Sequence, residues 1–274
     1  MLNQLLPRIV ALSLKAGEAV MAIYEEPSFA VSSKEDASPL TQADLASNRV
    51  ITQGLLDLDL GWPVLSEESA QVAFSERQAW SRFWLIDPLD GTKEFIKRNG
   101  EFTINIALIE NGQPILGVVY APALGLCYYA ARGMGAFLKR GKDDAEIIRT
   151  RPHVAGHPIK VVSSRSHAGE RTAALLAQLG EHECLSMGSS LKLCLVASGL
   201  AHFYPRLGPT MEWDTAAAHA IVSEAHGIVC KLDGSELHYN KPDLRNPEFL
   251  VIPAKGDMLL IYRAIHRQPL ALAA

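Results

Sequence analysis

Two carboxylates three residues apart, Asp87 and Asp90, close an apolar run at residues 83–86 and lead straight into Gly91 and Thr92. Acids at a strand end suit a hard cation, and a glycine turn into a helix start offers backbone N–H groups to an anion. Pro88 biases Asp87 towards extended geometry, so the strand is expected to persist up to that carboxylate. Gly91 admits the positive φ of a sharp turn, and Thr92-Lys93-Glu94-Phe95-Ile96 reads as the first turn of a helix. Metal on one side and phosphate on the other imply phosphate-ester hydrolysis.

Three more acids stand where apolar segments end or helices begin: Asp44, Glu67 and Asp214. Mg²⁺ takes oxygen ligands, usually a carboxylate or two with water and substrate phosphate. Two such ions roughly 4 Å apart activate a water and neutralise the leaving oxygen. Asp87 is placed to bridge both ions, with Glu67 and the Leu89 carbonyl on one and Asp90 and Asp214 on the other. Thr92 would share the nucleophilic water with Glu67 or Asp44. Taken singly, each acid has an ordinary explanation. An Asp-Gly pair makes a turn, Asp214 could cap a helix, Glu67 and Glu68 could be solvated, and Asp44 could lie on a helix surface. The Asp87-Pro-Leu-Asp-Gly-Thr92 string is more specific, because each position meets a separate physical demand. No G-x-S-x-G elbow, H-E-x-x-H, P-loop or complete G-x-G-x-x-G occurs. An aspartyl-phosphate mechanism is disfavoured, since its acids normally stand two apart.

The elements that must position these residues follow from periodicity. Residues 5–24 are apolar at helical spacing, residues 26–40 read as a loop or short hairpin, and a second helix is expected over 41–56 with Thr41 as N-cap. Strands are expected at 63–66, 83–86, 102–109, 114–120 and 126–131, then a hairpin at Arg132-Gly-Met-Gly into another strand. Residues 139–158, rich in charge, Gly and Pro, mark a boundary between an α+β lobe (1–150) and an α/β lobe (151–274). Beyond it strands are expected at 159–163 and 200–204, with helices at 169–179, 190–198 and 214–226.

The 274 residues carry a net charge of −4, with 48% hydrophobic and 20% charged residues. That charge offers no general attraction to nucleic acid, so an anionic substrate must be held by local cations and metal. The uncharged run at 111–131 is broken by Gly112, Pro114, Gly117, Pro122 and Gly125 and reads as sheet rather than membrane span. Cys127, Cys184, Cys194 and Cys230 lack zinc spacing and are expected to be reduced and buried in a cytoplasmic protein. Peripheral attachment to the cytoplasmic face of the inner membrane is left open, as is the choice between monomer and homodimer.

Ser66-Glu-Glu68, Asp87-Pro-Leu-Asp-Gly-Thr92 and Trp213-Asp-Thr-Ala-Ala217 together resemble the lithium-sensitive, magnesium-dependent phosphatases of the inositol monophosphatase superfamily. The motifs occur in order, and the resemblance spans nearly the whole chain. It implies a layered αβαβα fold, about two or three Mg²⁺ ions and a metal-activated water with no covalent intermediate. Glu67, Asp87, Leu89, Asp90 and Asp214 would then be metal ligands, with Asp44 and Thr92 beside the water. Ser66 departs from the glycine common before the acidic pair in inositol phosphatases, which bears on subfamily. Thr92-Lys-Glu-Phe95, Ser163-Ser-Arg-Ser-His167 and Gly188-Ser-Ser-Leu-Lys192 are similar to the CysQ-type 3′(2′),5′-bisphosphate nucleotidase branch. Its substrate would be adenosine 3′,5′-bisphosphate, with the related sulfated nucleotide also accepted. Ser189 and Ser190 would open a helix whose N–H groups grip the second phosphate, with Lys192, His167 and Arg206 adding charge and Gly91 adding backbone.

Overall fold

The computed structural model describes residues 1–26, 39–69, 72–164 and 170–253. The helices are α1 (Leu2–Tyr24), α2 (Pro39–Leu56), α3 (Phe74–Arg77), α4 (Thr92–Ile96), α5 (Glu170–Gln178), α6 (Leu191–Ala197) and α7 (Ala216–Glu224). The strands are β1 (Val64–Ser66), β2 (Arg82–Asp90), β3 (Thr103–Glu110), β4 (Gln113–Ala121), β5 (Leu126–Ala131) and β6 (Gly135–Arg140), then β7 (Glu146–Ile148), β8 (Ile159–Ser164), β9 (His182–Met187), β10 (Tyr204–Arg206), β11 (Ile228–Lys231) and β12 (Phe249–Ile252).

β1 to β7 form one sheet in sequence order, parallel only at β1–β2. Its central strands β2, β3 and β4 are buried on both faces, so they read as continuous apolar runs, while β6 alternates and β7 at the edge is mostly exposed. In β3, Ile104, Ile106 and Leu108 face α1 and α2, while Ala107 and Ile109 face α7. On the far side of α6 and α7 lie the parallel pair β8–β9 and the antiparallel trio β10–β12–β11, bridged at Val161–Phe203. α5 covers these with Leu175 and Leu176. The order of layers is therefore helix, sheet, helix, sheet, helix.

α7 is buried almost all round: Ala216, Ala217, Ala218, His219, Ala220, Ile221 and Val222 are all inside. Small residues let it sit close to β4, where a Cβ on Gly117 would fall 2.1 Å from the Ala217 carbonyl oxygen. Gly117→Ala therefore forces backbone apart in the middle layer. It is expected to cost about 3 kcal/mol, read as a lower midpoint in urea. An unchanged midpoint would show that the two layers separate freely.

Several boundaries differ from expectation. α2 begins at Pro39, a residue suited to a first turn, so Thr41 lies inside the helix and not at its cap. The strand expected at 83–86 runs on through Pro88 to Asp90. The strand expected at 200–204 is displaced to 204–206, and α7 is shorter than 214–226. α3, β7, β9, β11 and β12 had no counterpart among the expected elements. Residues after 150 share one apolar cluster with the large sheet, because Leu193, Val196 and Ile221 pack with Leu85, Val119 and Tyr128. Cys127, Cys194 and Cys230 are buried free thiols, but Cys184, expected inside, is exposed on β9. Among the described residues, no helix is long and apolar enough to cross a membrane.

Candidate active site

The two motif carboxylates point the same way because β2 is irregular. Asp87 pairs with Asn105 and Asp90 with Thr103, so three steps on β2 oppose two on β3. In a regular strand residues three apart face opposite sides, and one extra residue restores them to the same side. Pro88, which cannot donate to a ladder, lies inside this irregularity, and its carbonyl accepts the Ser47 hydroxyl of α2 at 2.7 Å. Gly91 then turns the chain at φ 99°, where a Cβ would meet Phe102 Cα at 3.2 Å and the Glu101 carbonyl oxygen at 3.3 Å.

Asp44, Glu67, Asp87, Asp90 and Asp214 come together within electrostatic reach of one another. Burial, followed by the charges of Asp90, Glu67, Asp214 and Asp44, holds the Asp87 carboxyl far above the usual range. Burial and Asp90 push Asp214 up to about 7. Burial and Glu68 push Asp44 up to about 8, and the Asp44–Glu68 hydrogen bond needs a proton on one of the pair. Glu67 is raised by burial and Asp90, while hydrogen bonds to Asp87 and from the Trp213 indole N–H oppose the rise. Trp213 thus ties the first motif to the third. Such a crowd of buried acids needs positive charge to be fully ionised.

Protein donors already occupy several carboxylate oxygens. Asp90 Oδ2 accepts the Ser190 N–H at 2.7 Å. The Ser190 hydroxyl lies 2.8 Å from Asp90 Oδ2 and 2.6 Å from the Asp214 carbonyl, and donates to one of them. Asp87 Oδ1 accepts the Leu89 N–H at 3.1 Å, and Asp214 Oδ2 the Met211 N–H at 2.9 Å. With oxygens turned to these donors, no group of three or more His, Cys, Asp and Glu side chains among the described residues forms a ready-made metal cage. The donor set nevertheless fits a hard divalent cation, being all oxygen and mutually repelling. The Asp44 Oδ1 atom, buried and without a partner among the described residues, is one of the atoms such an ion would satisfy.

Beside the acids opens a cavity of about 270 Å³, walled by Asp90, Gly91, Thr92, Glu94, Ser189, Lys192, Tyr204, Arg206 and Asp214. Thr92 lies exposed on it, and Leu89 is buried behind the strand end. Lys192 is buried, which pulls its ammonium down to about 8 against the pull of Asp90, and it donates to the Ser189 carbonyl at 2.5 Å. Arg206 donates to the Pro209 carbonyl at 2.7 Å, and its buried Nε has no partner among the described residues. Ser189 adopts φ 45°, and its buried hydroxyl has no partner among the described residues.

The helix start differs from expectation in one respect: the Ser190 N–H, expected to grip a phosphate, holds Asp90 instead. Ser190 is the junction between Asp90, Asp214 and Asn105, whose amide donates to its hydroxyl at 2.8 Å. His167 lies outside the described residues. Glu68, as the partner of Asp44, was not among the expected site residues, although it stands in the quoted acidic pair. Asp214 is not the cap of α7, which is Thr215.

Comparison with known proteins agrees with this geometry. Residues 1–267 match the inositol monophosphatase family. The 3′(2′),5′-bisphosphate nucleotidase CysQ of Salmonella typhimurium is 49% identical over 249 residues, covering 90% of this chain and 99% of that protein. CysQ of Escherichia coli K12 is 48% identical over the same coverage. The crystal structure of CysQ from Bacteroides thetaiotaomicron superposes with a TM-score of 0.81 at 42% identity, over 90% of this chain and 97% of that one. An inositol monophosphatase from Anabaena gives a TM-score of 0.77 at 25% identity, with 98% of each chain covered. Similarity of this extent, over residues 1–267, makes the chain a member of the inositol monophosphatase family.

Proposed function

We propose that this protein hydrolyses adenosine 3′,5′-bisphosphate to AMP and phosphate, and also takes the 3′-phosphate from 3′-phosphoadenylyl sulfate. The observation that carries this reading is the meeting of two unlike surfaces: a buried carboxylate cluster, and a cavity holding Lys192 and Arg206. A substrate with two phosphates matches that pair, one towards the acids and metal, the other towards the cations. The names of the 42–49% identical relatives point the same way.

Glu67, Asp87, Asp90, Asp214 and the Leu89 carbonyl would hold two or more Mg²⁺ ions, which would supply activation of the attacking water and charge neutralisation at the leaving oxygen. Asp44, with Glu67 and Thr92, orients that water. Beside Glu68 and raised to about 8, Asp44 can release and retake a proton near neutral pH. Ser190 keeps Asp90 and the Asp214 backbone at a fixed separation. Lys192 and Arg206 hold the non-reacting phosphate, and the Ser189 hydroxyl, without a partner among the described residues, can donate to it. In this division of labour residues 1–150 supply most of the metal ligands, and the later residues supply Asp214 and the nucleotide contacts.

Phosphate release from adenosine 3′,5′-bisphosphate and from inositol 1-phosphate, measured side by side, tests the reading. Release from the nucleotide that needs Mg²⁺, is suppressed by Li⁺ and exceeds release from the inositol ester by at least about 100-fold in kcat/KM is expected. Preference for the inositol ester would transfer the activity to the sibling class.

A further inference from the structure

Behind the Trp213–Asp214 pair lies a polar assembly that meets the cavity only at its edge, through Thr210 and Thr215. Glu212 is fully buried, yet its carboxylate accepts the Asn240 N–H at 2.6 Å, the Lys241 N–H at 3.0 Å and the Lys241 ammonium at 2.5 Å. Its own N–H donates to the Leu244 carbonyl at 2.9 Å. The Asn246 amide completes the grip, donating to the Met211 carbonyl at 2.7 Å and to Thr215 Oγ1 at 3.0 Å. Residues 240–246 therefore hold the turn 211–215 from both ends, and Asp214 sits within that turn, its Oδ2 fixed by the Met211 N–H.

The same loop is fastened to the chain that follows the acidic pair Glu67–Glu68 in sequence. Arg77, 3% exposed, donates to Asn240 Oδ1 at 2.8 Å and to the Lys241 and Pro242 carbonyls at 3.2 and 3.4 Å. Asn240 returns a bond from its amide to the Arg77 carbonyl at 2.7 Å. The Arg77 Nε binds the Val72 carbonyl at 3.0 Å, a short way along the chain from Glu67 and Glu68. A carboxylate and a guanidinium buried this deeply add little net stability compared with well-packed apolar residues, but they define geometry sharply.

We infer that Arg77, Asn240 and Glu212 form a clamp that sets the separation of the Glu67 and Asp214 segments, and so tunes metal affinity from outside the coordination sphere. The inference rests on the assignment of those acids as metal ligands. Arg77 and Glu212 are positioning residues, acting through the backbone on either side.

Asn240→Gly is the decisive variant. Asn240 has φ 67°, which glycine adopts without strain, and the backbone N–H to Glu212 is retained while both side-chain bonds to Arg77 are lost. Mn²⁺ binding to the nucleotide-free protein, followed by loss of the free-ion paramagnetic resonance signal, reads affinity without turnover. A loss of about tenfold or more is expected, the range typical of groups that orient metal ligands. At saturating Mg²⁺ the KM for nucleotide should stay at the native value. Arg77→Lys, which keeps the charge but not the fork, should show the same split if Asn240→Gly proves poorly folded. Native Mn²⁺ affinity in the folded variant overturns the clamp whatever its melting temperature. Failure of the unaltered protein to bind Mn²⁺ at all would instead overturn the metal-site assignment beneath it.

Discussion

An Asp90→Asn protein should fold as well as the native chain and lose at least about 10³-fold in kcat, because charge neutralisation by a bound cation is worth several kcal/mol and 1.36 kcal/mol is a decade in rate. The fold survives because an asparagine carbonyl oxygen can still accept the Ser190 N–H and hydroxyl that Asp90 Oδ2 accepts at 2.7 and 2.8 Å. The chemistry fails because one ligand loses its charge and half its acceptor capacity. Asp90 also raises the carboxyls of Asp87, Glu67 and Asp214. Its neutralisation relieves that repulsion, so the metal-free variant should melt at the native temperature or slightly above. Thermal melts in EDTA and phosphate release in excess Mg²⁺ check both halves. Native turnover by a well-folded variant would remove Asp90 from the site.

Metal-free protein should also lose stability as pH rises from about 6.5 to about 8.5, by several degrees in melting temperature. An acid whose folded pKa lies above its unfolded value binds more protons in the folded state, so stability falls with rising pH, the reverse of a salt-bridged aspartate. Asp214 at about 7 and Asp44 at about 8 span this window, and Asp87, also raised by burial and its neighbours, acts in the same sense. His219 acts in the opposite sense, because burial holds its imidazole down at about 4 and it resists protonation on acidification. That contribution is confined to pH below about 6.5, the unfolded histidine value, which is why the window starts there, while Lys192, held down at about 8 by burial, opposes the trend only at its upper end. Mg²⁺ should reverse the trend, since it binds only the ionised folded site, and its stabilising effect should grow with pH. A melting temperature in EDTA that climbs from pH 6.5 to 8.5 would refute the assigned electrostatics.

The clustering of the acids was legible in the sequence because they concentrate in short strings. Asp87 and Asp90 could be picked out from one motif, and Glu67 and Asp214 from two more. Geometry was less legible. The sequence placed two acids three apart without revealing that one extra residue in β2 turns both to the same face. Ser190 appeared to be an anion-binding helix start, but its N–H serves an anion of the protein itself. The clamp was invisible for a similar reason: Arg77, Glu212 and Asn240 look like surface charge and turn residues until topology brings residues 163 apart into contact. Short strands such as β11 and β12 escape periodicity, because four residues carry too little pattern to separate strand from loop.

The buried middle helix has a consequence for the order of events during synthesis. Strands β1 to β7 follow one another in sequence and pair mostly with their neighbours, so the large sheet can form from nearby chain as it emerges. The face that α6 and α7 cover, with Phe83, Leu85, Val119 and Tyr128, stays bare until residue 224 has been made. At ordinary rates of elongation that leaves an interval of roughly 4–15 s after residue 150. For those seconds the growing chain presents a broad sticky surface to its surroundings, and its escape from aggregation depends on how quickly an alanine-rich segment arrives to close it.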